Sequence, residues 1–397
     1  MRKGRRKFDY IFGYCEDYET DLVTSKHIII RDLIKDGYHI LYIENPVSFF
    51  HLCKYRKKVK ILGNGNCDGL GSIEVLRPVV PLLYTKRGGL LTDNRLISKI
   101  NSFFVYLQML ILLRFSSFNN VIAMCYLPSF ADLLQYIRCE KIIYHVVDDF
   151  TGFRFGAEDL KKAEDKLVAM SDVVITTSKV LFSRFIQKHS KVINIDHGVD
   201  YLALSSNINQ RQIKPPNKNY KCIYFGALHK VDWKLVESVS LDNPDVEFDF
   251  FGPIEGPQGC QLQDNFSFER NVRVHNSIAH KELVKRLNSY DFAFLPFVKN
   301  KLTLAMNPLK VKEAFAAGLP VFVSLQADHP LFTQENLSSG VFNFDDKKEF
   351  ADNLLKLQAL DSLAYRDELS DMMRDHGWQN ILECYRNIME INNVQRT

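Results

Sequence analysis

The sequence predicts an α/β protein built from two Rossmann-like domains in tandem, and three features lead there. The chain has 397 residues, more than one ordinary core holds and suited to two domains of about 150–200 residues each. Short apolar, strand-like runs alternate with helix-like segments, the pattern of parallel sheets joined by crossover helices. The alternation breaks at a polar stretch, residues 206–219, which contains Pro215 and Pro216, and then starts afresh. The domains are therefore read as 1–206, a linker 207–219, 220–376, and a last helix, 377–397, packing back on the first domain.

In chain order, Asp9–Gly13 reads as the first strand and Thr24–Lys35 as a helix stopped by Gly37. His39–Ile43, Val121–Met124, Lys141–Val147, Val173–Thr176 and Lys191–Ile195 follow as strands. Between them, Phe103–Leu113 is an apolar run interrupted by Gln108. It is about half as long as a bilayer span requires, so it is either a buried core helix or a helix lying on a membrane. Past the linker come a strand at Lys221–Phe225, a helix at Val231–Val239 capped by Asp232, and a strand at Val246–Phe251. Val272–Val274 reads as extended, His280–Asn288 as a helix, Phe292–Pro296 as a strand, Pro308–Ala317 as a helix and Pro320–Ser324 as a strand. The remainder reads as helical, with a long helix from about Gly377. Doubly wound sheets bind ligands at the C-terminal ends of their strands. Two such domains facing across a cleft would let two substrates meet there.

Composition narrows the partners. The net charge of +4 is uneven: residues 1–206 carry 29 Lys and Arg against 22 Asp and Glu. The excess lies in Arg2–Lys7 and Lys54–Lys60. These clusters fit a solvated face or an anionic partner such as a membrane surface. No nucleic-acid-binding motif accompanies them, so no nucleic acid is expected. The eight cysteines occur singly, without zinc-site spacing, and read as reduced and structural, as in the cytoplasm. Phe8–Tyr14 is too short for the core of a signal peptide. There is no Gly-x-Ser-x-Gly elbow, no phosphate-binding Walker loop and no Asp-x-Asp pair. Neither a metal nor a cofactor is implied.

The segment richest in chemistry runs from Asn307 to Val321. Asn307 suits a helix N-cap, Pro308 the first helical position and Gly318 the stop. Val311, Ala314 and Phe315 form an apolar stripe, while Lys310 and Glu313 share another face. A lysine in the first turn opposes the helix dipole, which a bound anion would explain. Free N–H groups at a helix start attract phosphate, so Asn307, Leu309 and Lys310 would cradle a diphosphate and Glu313 would accept from ribose hydroxyls. The other reading is an ordinary amphipathic helix with two solvated charges. Gly226 lies on a strand-to-helix turn, where a missing Cβ permits close approach of a ligand, and Lys230 on the same loop could touch phosphate. Asp148 and Asp149 end an apolar strand, where carboxylates often face the ligand, and adjacent residues of an extended chain point to opposite sides. His197 sits on a turn after a strand. Asp17 belongs to the Tyr14–Asp21 segment, expected to help form an acceptor pocket.

The stretch Leu302–Val321 resembles the donor motif of GT-B glycosyltransferases, and is most similar to family 4-like enzymes of bacterial surface polysaccharide assembly. Tyr144–Phe150, Ser171–Ser178, His197–Asp200, Tyr224–Leu228 and Tyr290–Phe297 resemble that family in the same order. The resemblance implies that Lys310 contacts the diphosphate of a nucleotide sugar and Glu313 its ribose, and that Ser277 and Ile278 lie where the base is read. Retaining members carry a second Glu at the position of Ala305. The chain is also similar to the inverting glucuronosyltransferase of xanthan assembly, whose catalytic Asp aligns with Asp148.

The expectation is thus a GT-B fold and a metal-independent, inverting glycosyltransferase of hexosyl or glucuronosyl type. It would move a sugar from a UDP-sugar to a glycan or lipid-linked acceptor in capsule or lipopolysaccharide assembly. It would act in the cytoplasm, with the inner face of the plasma membrane as a further partner. Two other activities fit the same residues: a UDP-sugar 2-epimerase, and a non-catalytic nucleotide-sugar-binding protein.

Overall fold

A computed structural model describes residues 6–19, 24–49, 61–64, 70–81, 95–113, 116–147, 157–206, 208, 219–253, 271–300, 303, 309–324 and 340–389. Most of the 207–219 segment lies outside the described residues. The chain forms two compact units, Met1–Ile195 with Tyr385–Thr397, and Asp196–Cys384. The division falls at Ile195/Asp196, ahead of the polar segment.

The first unit is built on an eight-stranded sheet. Its strands in chain order are β1 (Tyr10–Cys15), β2 (His39–Glu44), β3 (Leu62–Asn64), β4 (Ser72–Leu76), β5 (Asn119–Cys125), β6 (Arg138–Val146), β7 (Val173–Thr176) and β8 (Val192–Asn194). The spatial order is β8-β7-β6-β5-β1-β2-β4-β3, parallel throughout except for the β3–β4 pair. Central strands of a parallel sheet are covered on both faces, and β1 is buried from end to end. Helix α1 (Ser25–Lys35) ends as expected, with Gly37 at φ +89°. Helix α2 (Arg95–Leu112) contains the apolar run and has two faces. Val105, Met109 and Leu113 just beyond it are buried, while Phe103, Phe104, Leu107, Leu110 and Ile111 are exposed. Gln108 is not a solvated interruption: its side-chain amide pairs with both the N–H and the carbonyl of Val79, at 2.9 and 2.6 Å.

The second unit is a six-stranded, wholly parallel sheet: β9 (Tyr220–Phe225), β10 (Val246–Phe251), β11 (Val272–His275), β12 (Phe292–Leu295), β13 (Val321–Val323) and β14 (Val341–Asn343). The order β11-β10-β9-β12-β13-β14 is that of a doubly wound nucleotide-binding sheet. Its core is rich in phenylalanine, with Phe350 packed against Phe248, Phe292, Phe294, Phe322 and Phe344. Among its helices are α3 (Tyr201–Ser205), α4 (Trp233–Asp242), α5 (His280–Leu287), α6 (Leu309–Ala316), α7 (Lys347–Leu360) and α8 (Leu363–Asp371). Asp232 caps α4 by accepting from Leu235 N–H at 3.2 Å.

A buried guanidinium ties the end of α6 to the sheet. Arg366 is 1% exposed. It grips both oxygens of Asp361 at 2.7 and 2.9 Å and donates to the carbonyls of Gly318 and Asp291. Gly318, at φ +66°, is the left-handed residue that stops α6. Removing one partner of a buried pair leaves the other charge uncompensated. Arg366→Ala is therefore expected to cost about 3–5 kcal/mol, read as an earlier urea midpoint for the second unit. A shift below about 1 kcal/mol would mean that the pair acts like a surface salt bridge.

Candidate functional site

The site grows from the strand order. In a doubly wound sheet the connections diverge where the order reverses, which opens a crevice at the C-terminal strand ends. In the second unit that point lies between β9 and β12. Gly226 follows β9 directly, at φ +133°, a conformation open to glycine at little cost. Its N–H donates to Phe251 O at 2.8 Å, tying it to the end of β10. A Cβ at this position would lie 2.1 Å from Cε and 2.6 Å from Nζ of Lys310. The lysine therefore lies directly over the glycine turn.

Lys310 stands in the first turn of α6 and is half-buried. Burial lowers its amine below the ordinary lysine range; Glu313 opposes that shift and Lys230 adds to it. Among the described residues the amine makes no ion pair. Glu313, one turn on, has a side chain 15% exposed. Burial raises its carboxyl above the ordinary range, against the pull of Lys310 and His280. The two charges are thus drawn out of water rather than left solvated. A cation disfavoured by burial at a helix N-terminus, over a glycine turn, with an acceptor carboxylate beside it, suits an anion bearing vicinal hydroxyls.

Two further groups were not legible as site residues. Lys312, on the same helix, is fully buried; its amine pairs with Asp196 and donates to His197 O at 3.1 Å. His280, at the start of α5, has Nε2 3.7 Å from Asp200 Oδ2 and Nδ1 4.0 Å from Glu313 Oε1. The sequence marks both only as a charged residue beside an apolar stripe and a polar residue at a helix start. Their partners lie far off along the chain.

The other expected residues fall as follows. Lys230 closes a short 3-10 turn after β9, close enough to Lys310 to affect its charge. Ser277 is exposed and Ile278 is packed on the core, both between β11 and α5. Leu309 is half-buried at the start of α6. His197 belongs to the second unit, its N–H donating to Asp196 Oδ1 at 2.8 Å. Gly198 beside it leaves room for Trp378, whose ring would stand 2.5 Å from a Cβ. Asn307, Ala305, Asp148 and Asp149 lie outside the described residues.

In the first unit, Asp17 is exposed and paired with Arg77 at 2.7 Å. It joins a charged cluster at the ends of β1 and β2. Arg77 also holds Glu44, whose other oxygen accepts from Tyr18 N–H at 2.8 Å. Glu16 pairs with Lys26 and accepts from Thr24 Oγ1 at 2.6 Å. Burial would raise the Glu16 carboxyl, but these partners prevail and hold it low. The cluster spans the ends of β1, β2 and β4, beside the reversal of strand order between β1 and β5.

No protein-family profile matches the chain. A described teichuronic acid biosynthesis glycosyltransferase from Bacillus subtilis (strain 168), TuaH, is 26% identical over 215 residues, which covers 49% of this chain and 53% of that protein. The match thus spans about half the length of that curated relative. Among solved structures, the chain is similar to a sucrose-phosphate synthase from Thermosynechococcus elongatus, with TM-score 0.66 and 14% identity over 97% of this chain and 99% of that one. HepE of Anabaena, in complex with UDP and glucose, gives TM-score 0.62 and 12% identity over 97% and 100%. An α,α-trehalose 6-phosphate synthase from Burkholderia multivorans gives TM-score 0.63 and 11% identity over 96% and 97%. The fold is that of these proteins, the GT-B fold of two Rossmann-like domains.

A double-mutant cycle tests the Lys310–Gly226 geometry. Lys310→Ala is expected to weaken UDP binding by about 1.5–3 kcal/mol, the scale of a hydrogen bond to a charged group. Gly226→Ala would displace the same amine and weaken binding in the same direction. By calorimetry, the double variant should bind no worse than the weaker single variant. Additive losses would mean that the two residues act separately.

Proposed function

We propose that this protein is a GT-B glycosyltransferase that transfers a sugar from a UDP-sugar to a glycan or lipid-linked acceptor in bacterial surface polysaccharide assembly. The observation that carries the reading is the Lys310 amine lying over the Gly226 turn, one helical turn from Glu313. The similarity to a teichuronic acid glycosyltransferase and to a UDP-bound protein of the same fold supports it. The leaving diphosphate would be neutralised by Lys310 and the first N–H groups of α6, without a metal.

For the acceptor, we assign the general base to Asp148, which follows β6 closely in the chain. The acceptor hydroxyl must lose its proton as it attacks the anomeric carbon, and a positioned carboxylate can take it. The hydroxyl oxygen forms the new bond on one face as the diphosphate departs from the other, so the anomeric configuration inverts. The alanine at position 305, where retaining relatives carry a carboxylate, supports this course. Asp148→Asn should lower turnover by about 10²–10⁴-fold with UDP affinity unchanged, Asp149→Asn serving as control. Product stereochemistry by NMR decides: retention of the donor configuration would contradict the assignment.

The protein would work against a membrane surface through α2. Phe103 is 49% and Ile111 59% exposed on its outer face, with exposed Lys99 beside Ile100. Among the described residues no helix is long and apolar enough to cross a membrane. A surface of this kind combines apolar insertion with attraction to anionic lipid of about 1 kcal/mol per basic residue. The protein should float with phosphatidylglycerol vesicles at low salt and release as salt rises. Phe103→Ser with Ile111→Ser should abolish flotation without loss of folding. Equal flotation of that variant would exclude α2.

A further inference from the structure

Two groups that the donor motif does not account for, Asp200 and His280, extend the charges of the proposed nucleotide site into a row within the second unit. Asp200 caps α3, its Oδ1 accepting from Ala203 N–H at 3.4 Å. Its second oxygen, Oδ2, faces His280 Nε2 at 3.7 Å. The other ring nitrogen, Nδ1, faces Glu313 Oε1 at 4.0 Å. Glu313 in turn feels Lys310, and Lys310 feels Lys230. The sequence of groups is carboxylate, imidazole, carboxylate, amine, amine. On its own helix His280 neighbours Lys281, which is exposed, and Glu282, which is paired with Arg286 at 3.1 Å. Asp200 and Glu313 are therefore the charged groups that face the ring.

A carboxylate binds a pair of vicinal hydroxyls as a double acceptor, so it must be ionised and held in one orientation. Glu313 is disfavoured as an anion by burial and by Asp200. A charged imidazolium between the two carboxylates relieves both effects, and the helix-capping role of Asp200 fixes the ring from the far side. We propose that His280 is a positioning residue that holds the Glu313 carboxylate ready for the vicinal hydroxyls of the nucleotide's ribose, so that the nucleotide binds more tightly when His280 is protonated. This rests on the donor-site reading given above. The Asp200 carboxylate 3.7 Å away and the charge of Glu313 raise the imidazole above the ordinary histidine range against the effect of burial. The charged form therefore persists toward neutral pH, and its contribution fades as pH rises through the raised value.

The test is calorimetric titration of the full chain with UDP and with 2′,3′-dideoxyuridine diphosphate between pH 6 and 9. The dideoxy nucleotide shares the base and the diphosphate, so the ratio of the two affinities removes the titration of the phosphates and of Lys310. In the unaltered protein the preference for UDP should be about tenfold at pH 6 and should shrink as pH rises. His280→Gln should lose most of that preference and all of its pH dependence, and His280→Arg should keep it at every pH. If UDP binds but His280→Gln leaves the preference and its pH dependence unchanged, the inference fails and the donor site stands. An unaltered protein that binds neither nucleotide overturns both.

Discussion

Helix α6 carries two lysines drawn out of water, Lys312 fully buried and Lys310 half-buried, and the contrast between them organises the second unit. Lys312 has its counter-charge inside the protein: Asp196 pairs with it and the His197 carbonyl accepts from it. Lys310 has Glu313 near it but no ion-pair partner among the described residues, and burial and Lys230 both work against its charge. Burying an ammonium costs several kcal/mol unless an opposite charge is supplied. One lysine is satisfied by the fold. For the other, a place in the first helical turn favours an anion as counter-charge, the role proposed for the diphosphate.

The rest of the unit follows from keeping that amine in place. The sheet order brings the β9 turn to the reversal point, the place where doubly wound sheets bind ligands. Gly226 gives the amine room that any side chain would take away. Arg366 pins the carbonyl of Gly318, where α6 stops, to the carbonyl of Asp291, ahead of β12. The Phe-rich core holds the sheet beneath. The C-terminal end of this short helix is satisfied internally, and the proposed binding role falls to its first turn.

Much of this was legible in the sequence because the signals were local. Val173–Thr176 and Val246–Phe251 form strands within the bounds read from their β-branched and aromatic runs, and Asp232 caps α4 as its position implied. What escaped was non-local or mixed in character. Strand β4 carries Glu74 amid its apolar residues, which blurs the strand pattern. The helix at Ala157–Met170 is rich in charge, and its apolar face rests on few residues, Leu160, Ala163, Leu167 and Val168. Gln108 looked like a break in an apolar run, yet it is satisfied by the backbone of Val79. Lys312 and His280 gain meaning only from Asp196 and Asp200, which spacing along α6 or α5 cannot reveal. For Asp148 and Asn307 the reading still rests on sequence alone.

The central claim is that Lys310 serves a second phosphate. Calorimetric titration with UDP and UMP, in the unaltered protein and in Lys310→Ala, measures that directly. UDP should bind at least about tenfold more tightly than UMP, and Lys310→Ala should bring the two close together by weakening UDP alone. Equal affinities in the unaltered protein, or a gap that survives the substitution, would contradict it.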